Sequence, residues 1–271
     1  MHRYLRHFFC ATAFPLLCGS ASALTLDWGA AGVTWTNPGS FAGNPTISNS
    51  YDVGGNPGND VTVSISGNTA QFGNTTPAIN TNLQGGYATA PKALNLYVDF
   101  TSQAQFVTIG VSFAASYTQG MSGVSFTIFD VDGVNSGTTT SFQDKISSII
   151  GIAPDGSQVA ATITLTANTV NTVTGNGTLG AVVLGNGNSP NTGAGSDVGN
   201  VTVSFASAIQ SFSFVYGSGT NTIADPTAQQ ISISNISFTP VPEINPAWTG
   251  LISCLAASGL VLRHRSLTRK K

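Results

Sequence analysis

The chain reads as an all-β protein, and three observations point there. Apolar and polar residues alternate with a period of two through much of residues 24–240. Clusters of Gly, Asn and Pro punctuate those runs and read as turns. No stretch of ten or more residues carries a helical stripe free of Gly or a β-branched run. About twelve short strands separated by turns favour two sheets with buried inner faces. The expectation is a jelly-roll-like β-sandwich, flanked by an N-terminal signal helix and a single C-terminal transmembrane helix.

The body opens in a turn-rich segment. Asn37-Pro38-Gly39, Gly43-Asn44-Pro45 and the run 54–58 are turn signals, with short strands expected at 25–28, 32–36 and 48–53 between them. Trp28 and Trp35 are expected to pack into the sheets, with sugar stacking as the other reading. Val61, Val63 and Ile65 share one face of the next strand, and a loop runs from there to Gly86. Strands follow at 93–100 and 105–114. In the second, Val107, Ile109, Val111 and Phe113 form the apolar face and should point inward. Further strands are expected at 124–133, 146–152, 159–166, 169–174 and 179–184. After the Gly- and Asn-rich loop 185–199 come 200–206, 210–216 and 230–238. That loop, with Asn186, Asn188 and Asp197, is a polar candidate for an ion or ligand, though its length without periodicity reads first as a plain connection.

Charge and residue usage exclude much. Residues 24–240 carry two lysines, Lys92 and Lys145, against ten aspartates, a formal charge of −8. Such a body lacks the cations that phosphate neutralisation demands, so no nucleic-acid partner is expected. The same residues contain no His, Cys, Arg or Glu. Ser-His-Asp and Cys-His catalysis and His-ligated zinc are therefore out of reach. Cys10, Cys18 and Cys254 all lie in the terminal segments, so the body holds no disulfide.

One acidic constellation stands out in Phe129-Asp130-Val131-Asp132-Gly133, followed by Asp144-Lys145. If the strand runs on past Phe129, Asp130 and Asp132 share a face about 7 Å apart. With Asp144 folding back, three carboxylates and nearby carbonyls would suit Ca²⁺. Aspartates that cap turns at a strand end are the competing reading.

The two ends of the chain speak of export. Residues 1–23 have a basic start at Arg3 and Arg6, an apolar run 8–17 and an Ala21-Ser22-Ala23 site, as in a secretory signal peptide cut after Ala23 by signal peptidase. Cys18 follows the bulky Leu17, which argues against lipoprotein processing. At the other end, Pro242-Glu243 precedes the uncharged run 247–262 and a tail with Arg263, His264, Arg265, Arg269, Lys270 and Lys271. Residues 244–262 number 19, against roughly 20 needed to span a bilayer. The basic tail favours the cytoplasmic side, which leaves the body outside the inner membrane.

This order of turn, span and cations resembles the PEP-CTERM sorting signal of bacterial exosortase substrates. The residues that carry the resemblance are Pro242, Glu243, Asn245, Pro246, Arg263 and Arg265, in the form P-E-I-N-P-A with Ile244 where the third motif residue is usually Pro. The resemblance covers 241–271 only. It implies an exosortase-type sorting protease as partner, an inner-membrane intermediate with a cytoplasmic C-terminus, and delivery to the cell surface or extracellular matrix. By association it also implies extracellular polysaccharide. The chain divides accordingly into a signal peptide at 1–23, a β-sandwich body at 24–240 and a sorting tag at 241–271. The leading functional expectation is a non-catalytic exported surface or matrix protein. A carbohydrate-binding module, with or without calcium, is the alternative, drawing its stacking aromatics from Trp28, Trp35, Tyr51, Tyr87, Tyr97 and Tyr117. An Asp-dependent glycoside hydrolase comes last, since it needs two carboxylates across a cleft.

Overall fold

A computed structural model describes residues 22–243 apart from 56, 74, 84, 134–139 and 189–195. Within it the protein is all-β, with two antiparallel sheets; the one helical element among the described residues is the 3-10 turn Thr69–Gln71. Sixteen strands follow in chain order. They are β1 (Leu24–Leu26), β2 (Ile47–Tyr51), β3 (Val61–Gly67), β4 (Ala78–Asn80), β5 (Ala93–Val98), β6 (Phe106–Phe113), β7 (Met121–Phe129) and β8 (Asp144–Ile152). Then come β9 (Gln158–Ala160), β10 (Thr162–Leu165), β11 (Asn171–Thr174), β12 (Val182–Gly185), β13 (Val201–Ser204), β14 (Ser211–Ser218), β15 (Gln229–Ile233) and β16 (Ile236–Pro240).

The first sheet runs β1-β16-β7-β15-β5-β4, with β16 and β15 sharing one edge of β7 and β13 and then β10 on its other edge. The second runs β11-β12-β8-β14-β6-β3-β2, with β9 also on β8. The expected alternation sets which faces are buried. Val107, Ile109, Val111 and Phe113 of β6 are all inside, as are Val61, Val63 and Ile65 of β3. One hydrophobic cluster draws on both sheets. Phe126 of β7 stacks on Phe212 of β14 at 4.8 Å, and Phe113 of β6 meets Phe238 of β16 at the same centroid distance. Apolar surface thus leaves water on both sheets at once, the dominant favourable contribution to such folds.

Three expected strands take a different form. Residues 32–36 form no strand, because the side-chain amide of Asn49 satisfies Thr36 on both sides: Thr36 N–H donates to Asn49 Oδ1 and Asn49 Nδ2 donates to the Thr36 carbonyl, each at 3.0 Å. The expected strand 159–166 breaks at buried Ala161, where the chain leaves β8 in one sheet for β13 in the other. The expected strand 230–238 breaks at Ser234-Asn235. There, Trp28 Nε1 donates to the Ser234 carbonyl at 2.9 Å and Trp28 N–H to Asn235 Oδ1 at 3.0 Å.

Candidate functional site

The acidic constellation folds into a corner rather than a continuing strand. β7 ends at Phe129, and Asp130 takes a left-handed backbone with φ of 66°. The expected common face for Asp130 and Asp132 therefore does not form, because a left-handed residue breaks the two-residue alternation. The chain instead turns so that Asp132 meets the start of β8. Asp144 N–H donates to the Asp132 carbonyl at 2.8 Å, and Asp132 N–H donates to Asp144 Oδ2 at 3.1 Å. From β14, the Tyr216 hydroxyl donates to Asp144 Oδ1 at 2.9 Å. Gly133 pairs with Gln143, whose Nε2 donates to Asn186 Oδ1 at 2.9 Å.

Asp144 and Tyr216 are both fully buried. Burial pushes the Asp144 carboxyl well above the usual carboxylate range. The neighbouring charge of Asp132 adds to the rise and that of Asp130 adds less, while the bonds from Asp132 N–H and Tyr216 act the other way. Burial, then the charge of Asp144, lifts the Tyr216 phenol. The sequence-predicted trio is thus brought within electrostatic reach. Asp144 is turned into the protein and bound to protein donors on both oxygens. Among the described residues, no group of three or more His, Cys, Asp or Glu is placed to hold a metal ion. The corner's chemistry is that of an interior carboxyl that favours its proton. Tyr216 escaped sequence reading as its partner, because 72 residues separate the two.

The second candidate lies where the two ends of the body meet. β1 pairs with β16, with Leu24 opposite Phe238. Ala23, the residue before the predicted signal cleavage, is exposed. After β16 the chain is held at two further points. Val241 N–H donates to the Gly120 carbonyl at 3.0 Å, and the Thr118 hydroxyl donates to Glu243 Oε1 at 2.6 Å. A cavity of about 700 Å³ opens between the ends, lined by Ser22, Leu24, Gly55, Tyr117, Pro242 and Glu243 among others. Two of its lining residues, Gly55 and Tyr117, are held by the buried Asp60, whose carboxyl accepts the N–H groups of Val53 and Gly55 at 2.9 and 3.2 Å and the hydroxyl of Tyr117. Pro242 and Glu243 of the predicted sorting motif are therefore seated on the body. Asn245, Pro246, Arg263, Arg265 and Ala21 lie outside the described residues, as do the apolar spans of both terminal segments. Among the described residues, no helix is long and apolar enough to cross a membrane.

The candidate stacking aromatics divide sharply. Trp28, Tyr51 and Tyr117 are buried, Trp28 and Tyr51 meeting edge to face at 5.7 Å. Trp35 is half-buried, with its indole N–H on Asn37 Oδ1 at 2.8 Å. Tyr97 is half-buried, and Tyr87 is 53 % exposed. No protein-family model, curated protein or solved structure matches the chain.

Proposed function

We propose that this is an exported, non-catalytic surface or matrix protein, with a jelly-roll-like β-sandwich body that a C-terminal exosortase-type signal delivers to the envelope. The observation that carries the reading is the juxtaposition at β1 and β16. The predicted cleavage point before Leu24 and the Pro242-Glu243 motif border one cavity, so two cuts there would release the body with its β1–β16 pairing intact. Signal peptidase and the sorting protease are the partners in transit, and extracellular polysaccharide is the partner at the destination. A non-catalytic role is supported by the residue types absent from 24–240. It is also supported by the burial of Asp144, the carboxyl most suited by its raised pKa to act as a general acid, since a group closed off from solvent cannot reach a glycosidic oxygen.

The test is the intact mass of the protein recovered from its native envelope or medium, together with its fractionation. A species running from Leu24 to Pro242 or Glu243, found with surface or matrix material, is the expected result. A mature species that keeps Lys271 would sink the sorting reading.

A further inference from the structure

The outer face of the first sheet carries an ordered array of hydroxyl groups. Across β10, β13, β7, β16 and β1, the residues in register are Thr162, Ser204, Ser125, Ser237 and Thr25. One step along, Thr164, Thr202 and Thr127 form a second row, continued by Ser234, whose hydroxyl accepts from Thr127 N–H at 2.8 Å. Thr127 and Thr202 share a hydroxyl–hydroxyl hydrogen bond of 3.0 Å. The neighbours of these residues along each strand, such as Leu26, Phe126, Ile163, Val203 and Ile236, are buried. The hydroxyl positions themselves are half-buried or exposed, so the array faces outward. Strand geometry spaces it at about 4.8 Å between strands and about 6.7 Å along each strand.

Over the centre of the array lies a groove of about 310 Å³, with Ser125, Thr127, Thr202 and Ser237 in its lining and Tyr87 and Pro91 beside them. Tyr87 is the most exposed large hydrophobic side chain of the described residues, yet its ring is braced edge to face on Phe129 at 6.0 Å. Among the described residues, no charged side chain lines the groove.

We propose that this groove binds a neutral polysaccharide. Each Ser or Thr hydroxyl offers one donor and two acceptor lone pairs, as does each sugar hydroxyl, so a row of them can match a chain of sugars in either sense of hydrogen bonding. A braced aromatic ring supplies a rigid apolar surface for the C–H face of one sugar ring. The volume lies at the small end of ligand grooves, enough for one or two sugar units at the centre of a longer chain. With no cation among the described lining residues, the groove favours a neutral sugar over an anionic one. A protein partner would call for an apolar interface core, whereas this face offers Tyr87 among hydroxyls. The proposal rests on the surface-protein reading for its biological setting and names the destination partner's chemistry.

The test is affinity electrophoresis of the detergent-purified full chain in gels containing hydroxyethylcellulose or galactomannan, both neutral, or alginate, which is acidic. Retardation by at least one neutral polysaccharide and not by alginate is expected. Tyr87→Ala, and separately the double variant Thr127→Val with Thr202→Val, should weaken retardation about tenfold, equivalent to one to two lost contacts. Valine keeps the β-branched shape, and a thermal melt confirms that each variant is folded. Retardation by neither neutral gel, equal retardation by alginate, or wild-type retardation in both folded variants would overturn the proposal. None of these readouts depends on processing, so the intact-mass test fails or succeeds separately.

Discussion

The Tyr216 hydroxyl donates to Asp144 Oδ1 at 2.9 Å, in an interior where neither side chain reaches solvent. The bond ties β14 to the first residue of β8, the pair of strands at the middle of the second sheet. Tyr216→Phe removes the donor and leaves a buried acceptor short of one partner. It should cost about 1–3 kcal/mol of stability, read as a shift of the denaturant midpoint without a change in slope.

The same carboxyl sets a pH dependence. In the unfolded chain Asp144 ionises near its ordinary value of 3.8, whereas in the folded protein burial holds its pKa well above that. As pH rises past 3.8, the unfolded state gives up a proton that the folded state keeps. Asp144 therefore favours folding most at acid pH, and that contribution declines as pH climbs toward the folded pKa. Asp144→Asn keeps both hydrogen bonds if its carbonyl accepts from Asp132 N–H and its amide donates to the Tyr216 oxygen. Thermal melts at pH 3.5 and pH 7 should show the variant gaining on wild type at the higher pH. A constant difference between the two pH values would refute the assignment.

Gly185 ends β12 against the acidic corner. A Cβ built there would lie 2.1 Å from the Asp132 carbonyl oxygen and 2.3 Å from its carbon. Backbone cannot swing aside as a side chain can, so Gly185→Ala must push the Asp132 segment away from Asp144. A loss of about 3 kcal/mol or more is expected in the same denaturation assay. Gly156→Ala is a contrasting control. It meets nothing within 4 Å but sits at φ of 85°, and should cost only its backbone strain, about 1 kcal/mol.

The Thr118 hydroxyl holds Glu243, the single glutamate of the chain, so a Glu-specific endopeptidase has one cutting point. Both groups are at the surface. Thr118→Val should leave global stability within about 0.5 kcal/mol. It should also speed cleavage after Glu243 by about threefold, because opening of that segment becomes easier. Limited proteolysis with time-resolved mass spectrometry measures the rate, and an unchanged rate would mean that this bond does not restrain the motif.

Alternation alone was enough to read the inward faces of β3 and β6, because side-chain direction along a strand has a period of two and one face must leave water. It could not show where a strand changes partners. Ala161 looks like any residue within 159–166, yet the chain passes there from one sheet to the other. Residues 32–36 look like a strand, yet the Asn49 side chain takes the bonds a neighbouring strand would have made. The three aspartates were legible as a constellation from their spacing. The left-handed turn at Asp130, the burial of Asp144 and its bond to Tyr216 were not, since each depends on β7, β8 and β14 packing together.

By itself, the sequence determined that the body is built of strands, that it is acidic, and that it lacks the side chains of most hydrolytic and metal chemistry. Those properties are local or additive, so they can be counted residue by residue. Only the tertiary structure decided that Leu24 lies opposite Phe238 beside the Pro242-Glu243 motif, and that Thr162, Ser204, Ser125, Ser237 and Thr25 align in one row. Register between distant strands is the physical reason. It comes from the joint burial of two sheet faces, and no short stretch of sequence contains it.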